Sequence, residues 1–120
     1  MATIMAVDDS ASMRRMVAFT LKGVGHEVIE AEDGVAAFST ARTQKVDLVV
    51  TDVNMPNMDG ITLVRELRTL PTYRFTPILV LTTESSDAKK QEGRAAGATG
   101  WIVKPFSPDQ LIATIRKVLG

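Results

Sequence analysis

The stretch Leu48-Val49-Val50-Thr51-Asp52-Val53-Asn54-Met55-Pro56, LVVTDVNMP, decides how this chain is read. Its apolar start has the length and composition of a buried strand. The strand ends in a carboxylate, and an asparagine and a Met-Pro stop follow at once. A strand covered on both faces needs no acid at its tip, so Asp52 calls for a chemical explanation.

Working outward, four more β-rich runs accompany this one: Thr3–Val7, Glu27–Ala31, Pro77–Thr82 and Gly100–Lys104. They alternate with five longer segments of helical character. Such alternation predicts an α/β fold, with a parallel sheet of five strands joined by right-handed crossovers. Ile4 to Val7, Leu48 to Val50 and Ile78 to Leu81 are nearly continuous apolar runs, which places them inside the sheet. Glu27-Val28-Ile29-Glu30-Ala31 carries two acids and suits an edge.

Helical stripes complete the pattern. Met13, Met16, Val17, Thr20, Leu21 and Val24 form one. Leu63, Val64, Leu67 and Leu70 form a second, and Leu111, Ile112, Ile115, Val118 and Leu119 a third. Ser107 as N-cap, Pro108 in the first turn and Gln110 closing a capping box start the last helix. The segment from Ser86 to Ala96 differs. Alanines are its only apolar residues, and Gly93 inside it costs about 1 kcal/mol relative to alanine. It is either a poor surface helix or an element meant to move.

The chain has 120 residues, which suits one domain over residues 1–120 with roughly 60–70 % of its unfolded surface buried. Fourteen basic residues balance 14 acidic ones, and no basic block marks a nucleic-acid surface. Cysteine is absent, which excludes disulfides and thiolate metal sites. No signal peptide or membrane span is legible, so a soluble cytoplasmic protein is expected.

In a parallel sheet every strand ends on the same side, and ligand sites form there. The first strand runs into Asp8-Asp9, the third ends in Asp52, the fourth in Thr82-Thr83 and the fifth in Lys104-Pro105. Three acids, a hydroxyl and an ammonium are thus expected in one crevice. Clustered carboxylates repel, which raises their pKa values unless a cation relieves them. Lys104 supplies one positive charge. An all-oxygen donor set favours Mg2+, with Mn2+ possible, and Asp8, Asp9, Asp52 and a carbonyl near Asn54 fit as ligands. Taken alone, Asp8-Asp9 reads equally well as structural, with Asp9 or Ser10 simply starting the first helix. Taken together, the cluster suits phosphoryl transfer onto a carboxylate, with Asp52 as nucleophile.

VDDS, VTDVNMPNMDG, LTTES and GWIVKPF, in this order, resemble the response-regulator receiver domain of two-component signalling. The resemblance spans Thr3 to Leu119 and is strongest to single-domain chemotaxis members of the family. It implies a flavodoxin-like sheet in the order 2-1-3-4-5 with helices on both faces. It implies that Asp52 is the phosphoacceptor and that Asp8 and Asp9 hold Mg2+ with the Asn54 carbonyl. Lys104 then contacts the phosphoryl group, and Thr82 turns toward it in the active state. The Lys104-Pro105 bond is expected to be cis, and Asn54 and Glu84 to tune dephosphorylation. Where the family commonly has tyrosine or phenylalanine on the fifth strand, this chain has Trp101, either a ring that swings inward with Thr82 or a surface anchor for a partner.

The resemblance also implies partners: a histidine kinase as donor, and a flagellar motor switch protein or another target on the face of the fourth helix, fifth strand and fifth helix. The chain ends at Gly120 after the last helix, so it is expected to act as a monomer by binding another protein. A switch from 1:99 to 99:1 needs about 5.5 kcal/mol, within reach of a few charge-assisted hydrogen bonds at about 1.5–3 kcal/mol each. A non-chemotactic regulator or relay intermediate is the nearest alternative. A haloacid-dehalogenase-type phosphatase would carry a second acid at position 54, where this chain has Asn54. A flavin-binding module would not place Asp8-Asp9 against a phosphate.

Overall fold

A computed structural model describes residues 1–83 and 86–120, so Glu84 and any role for it lie outside the described residues. The chain order is β1 (Thr3–Val7), α1 (Ala11–Lys22), β2 (Glu27–Ala31), α2 (Gly34–Thr43), β3 (Leu48–Asp52), α3 (Gly60–Leu67), a short 3-10 turn (Pro71–Tyr73), β4 (Ile78–Thr82), α4 (Asp87–Ala96), β5 (Gly100–Val103) and α5 (Pro108–Leu119). The strands are all parallel and lie in the order β2-β1-β3-β4-β5, as the sequence implies. None of the described helices is long and apolar enough to cross a membrane.

The period of two along each strand divides the core. Met5, Val7, Val49, Ile78 and Val80 point to one face, where α2, α3 and α4 supply Ala37, Ala41, Ile61, Val64, Leu67 and Ala96. Ile4, Ala6, Leu48, Val50, Leu79 and Leu81 point to the other, against Val17 and Leu21 of α1 and Leu111 and Ile115 of α5. The three inner strands are therefore buried on both faces, while Glu27 and Glu30 of edge strand β2 are exposed. Each well-filled CH2 in such a core contributes about 0.8 kcal/mol.

Every α-helix begins with a capping side chain. Ser10, Asp33, Asp59, Ser86 and Ser107 accept from the backbone N–H of Met13, Ala36, Thr62, Lys89 and Gln110 respectively. Each cap is worth about 1 kcal/mol. The expected Ser107 cap and Pro108 in the first turn are both present.

Some boundaries differ from the sequence reading. β4 starts at Ile78 because Pro77 has no N–H to donate, although its carbonyl still accepts from Val49 N at 3.1 Å. β5 stops at Val103, yet Lys104 N donates to Thr82 O at 2.7 Å and stays tied to β4. Val24 does not belong to the buried stripe. α1 ends at Lys22, and Val24 lies exposed in the turn beyond it, where Gly25 takes a positive φ. Leu70 follows the end of α3 and caps the 3-10 turn.

Arg68, just after α3, ties two connections together. Its guanidinium donates to Gly97 O (2.8 and 3.0 Å), Tyr73 O (2.6 Å) and Thr76 O (2.7 Å). It thereby joins the segment before β4 to the turn between α4 and β5. Arg68→Ala would leave several part-buried carbonyls unpaired and should destabilise the protein by about 2–4 kcal/mol in urea unfolding. Arg68→Lys should recover little of this, because an ammonium lacks the planar fork that reaches three carbonyls at once.

Candidate functional site

The carboxyl ends of β1, β3 and β5 deliver charge to one crevice. Asp8 follows β1 and is buried, Asp52 closes β3 half-buried, and Asp9 is exposed beside them. One carboxylate oxygen from each of Asp8, Asp9 and Asp52 lies within 4.8 Å of the others. Lys104, just past β5, reaches across with its Nζ 3.2 Å from Asp8 Oδ2 and 3.5 Å from Asp52 Oδ1. The crevice thus carries three anionic groups and one ammonium within contact distance. Three carboxylates and no nitrogen or sulfur ligand form a donor set suited to a hard divalent cation.

The backbone around Asp52 is fixed from several sides. Asp52 Oδ1 accepts from the N–H of Val53 at 2.8 Å, and the Thr51 hydroxyl donates to Asp52 O at 2.9 Å. A Cβ on Gly60 would overlap the Asp52 carbonyl oxygen, so the first residue of α3 has to be glycine for the helix to seat against the strand end. Gly60 N donates to Val53 O at 2.8 Å and completes that seat. Farther along the loop, Asn57 has φ +69° and donates from Nδ2 to Asp33 Oδ2 at 2.9 Å. Asp33 is held below its ordinary pKa, chiefly by the Ala36 N–H and then by Asn57.

Asp8 is anchored as firmly. Its Oδ1 accepts from Ser10 N at 2.9 Å, and its carbonyl accepts from the Arg14 guanidinium at 2.7 Å. Arg14 in turn pairs with Glu30 on β2 at 3.1 Å. Sequence reading missed Arg14 because it counts as one more polar residue beside the α1 stripe. Its spacing from Asp8, about one helical turn past the cap, is the signal that points back at the strand end.

The other expected site residues fall as follows. Thr82 closes β4 and is fully buried, and Thr83 follows it exposed. Asn54 is exposed in the loop after β3. The Lys104-Pro105 bond is cis. Trp101 sits half-buried in β5, in register with Val80, and packs against the core face that includes Ala96.

Burial is the main reason that the Asp52 carboxyl lies above its ordinary pKa, with Lys104 pulling it down and Asp8 pushing it up. Repulsion among the acids, the cause expected from sequence, is thus the lesser one. A carboxyl raised in the folded state prefers its proton, so its ionisation on going to neutral pH weakens folding. Asp52→Asn should therefore raise the melting temperature at pH 7 in a chelating buffer. The gap should close as pH falls below about 3.9, where the carboxyl is protonated in folded and unfolded chains alike. Thermal melts at stepped pH check this; an unchanged or lowered melting temperature at pH 7 contradicts it.

Comparison with known proteins agrees with this geometry. The response regulator receiver domain matches residues 4–116. A chemotaxis protein CheY homolog of Campylobacter jejuni is 40% identical over 119 residues, which cover 98% of this chain and 92% of that protein. Chemotaxis protein CheY1 of Helicobacter pylori is 39% identical, with 98% and 96% covered. The structure of Vibrio cholerae chemotaxis protein CheY4 superimposes with a TM-score of 0.95 at 52% identity, covering 98% of each chain. A five-stranded parallel sheet whose strand ends gather an acid triad and a lysine, together with a family match over nearly its whole length, makes this chain a CheY-like member of the response regulator receiver domain family.

Proposed function

We propose that this chain is a single receiver domain that accepts a phosphoryl group on Asp52 and thereby switches its affinity for a partner protein. The observation that carries this reading is the Asp8–Asp9–Asp52 cluster with Lys104 bridging two of its members. Asp8, Asp9 and Asp52, with the Asn54 carbonyl, would hold Mg2+. A bound Mg2+ supplies charge neutralisation for the phosphoryl oxygens.

The side chains divide the work. Asp52 Oδ1 is already engaged by Val53 N and Lys104, which leaves Oδ2 to attack phosphorus. The new O–P bond forms on Asp52 as the P–N bond of a phosphohistidine donor breaks, and the imidazole leaves with the electron pair. Lys104 can exchange its carboxylate contacts for a phosphoryl oxygen without leaving the crevice. Thr82, which ends the neighbouring strand one residue beyond the partner of Asp52, supplies on this reading a hydroxyl for the added oxygens. No turnover on an outside substrate is needed, so the chain serves as a switch and not as an enzyme.

The surface of α4, β5 and α5 adjoins Thr82 and Lys104 and is the output face on this reading. α4 buries only Gly93 and Ala96, so little apolar area resists its displacement. A histidine kinase supplies the phosphoryl group, and the CheY names of the relatives support a flagellar motor switch protein as target in the cytoplasm.

Labelled acetyl phosphate with Mg2+ should mark the wild-type protein with up to one phosphoryl group per chain. Asp52→Asn should abolish the label, as should EDTA. Equal labelling of the Asn variant, or an unmodified wild type, contradicts the assignment. At [Mg2+] of 100 times its dissociation constant, the wild type should also gain about 2.7 kcal/mol of stability, and Asp9→Asn markedly less at the same concentration.

A further inference from the structure

Gly93 is out of place by helix propensity, and its backbone does not explain it. The positive-φ glycines are Gly25, Gly97 and Gly120, so Gly93 occupies helical space open to any residue. What it lacks is room. A Cβ at position 93 would lie 2.7 Å from Cζ3 of Trp101 and 3.2 Å from Cε3. The six-membered ring of the indole therefore rests directly on the α4 backbone. The three atoms nearest that Cβ all belong to Trp101, so the ring is what the glycine makes room for.

We propose that Gly93 is the seat of the Trp101 indole, so that the position of the ring and the placement of α4 form one coupled unit. The pair explains two irregularities together: a helix-weakening glycine in α4 and an oversized aromatic on β5. The seat compensates for the scarce apolar area of α4, which otherwise buries only Ala96. It also settles the choice that the sequence leaves open between a poor surface helix and a mobile one. The ring joins Ala96 in holding α4 to the sheet, so that its position and that of the helix are coupled. The proposal stands independently of phosphorylation. On the switching reading above, it defines what the phosphoryl group has to displace.

Reciprocal measurements on the unphosphorylated protein test it. Trp101 is the single tryptophan of the chain, so its fluorescence reports on the ring alone. Gly93→Ala should shift the emission to the red and increase quenching by acrylamide. In a Trp101→Ala background, which empties the seat, the same substitution should raise the folding equilibrium constant about fivefold, the ordinary gain of alanine over glycine in a helix. In the wild-type background that gain should be lost or reversed. Conversely, Trp101→Ala should reduce hydrogen-exchange protection of the α4 amides while leaving α5 unchanged. Unaltered emission and quenching in Gly93→Ala, together with a full fivefold gain, would make the glycine a simple helix defect and overturn the proposal. Unchanged α4 protection in Trp101→Ala would overturn it as well.

Discussion

Three carboxylates at the ends of buried strands repel one another, and the ammonium of Lys104 is what the sheet sets against them. Its contacts at 3.2 Å to Asp8 and 3.5 Å to Asp52 join the ends of β1, β3 and β5. The strand order makes this contact possible: β4 separates β3 from β5, and a long flexible side chain spans the gap. Asp52 still remains above its ordinary pKa, so one lysine only partly offsets its burial. An incompletely neutralised site is suited to receive further positive charge, and its electrostatics leave that demand standing in the folded protein.

The rest of the fold serves to hold that arrangement still. Two faces of apolar side chains fix the strands, Gly60 lets α3 press against the Asp52 carbonyl, and Arg14 pins the carbonyl of Asp8. These constraints act on main-chain atoms. They leave the carboxylate oxygens facing the crevice while the backbone beneath them is locked. α4 stands outside this scheme, since its packing rests on two small residues and the indole of Trp101.

Much of this was legible in the sequence because the relevant signals are local. Strand runs, helix periods and the caps at Ser10 and Ser107 are short-range patterns, and the parallel topology converts strand ends into a common site. The gathering of Asp8, Asp9, Asp52 and Lys104 followed from that rule alone. Features that depend on distant parts of the chain were not legible. Gly93 and Trp101 are adjacent only because β5 returns beneath α4. Arg68 could not be told from any other charged residue at a helix end until the turns it joins were in place. Val24 continues the apolar period of α1 in the sequence, but the helix stops at Lys22 and leaves it exposed.

The Arg68 hub has a consequence of its own. Its short contacts run to carbonyl oxygens and not to a carboxylate. Dipoles of this kind neither titrate nor attract a screening atmosphere as paired ions do. The corner between α3, β4 and α4 should therefore hold in brine or in weak acid, conditions that loosen surface pairs such as Lys89–Glu92. The corner that Arg68 holds is thereby left indifferent to the medium, in contrast to the acid-lined ends of β1 and β3.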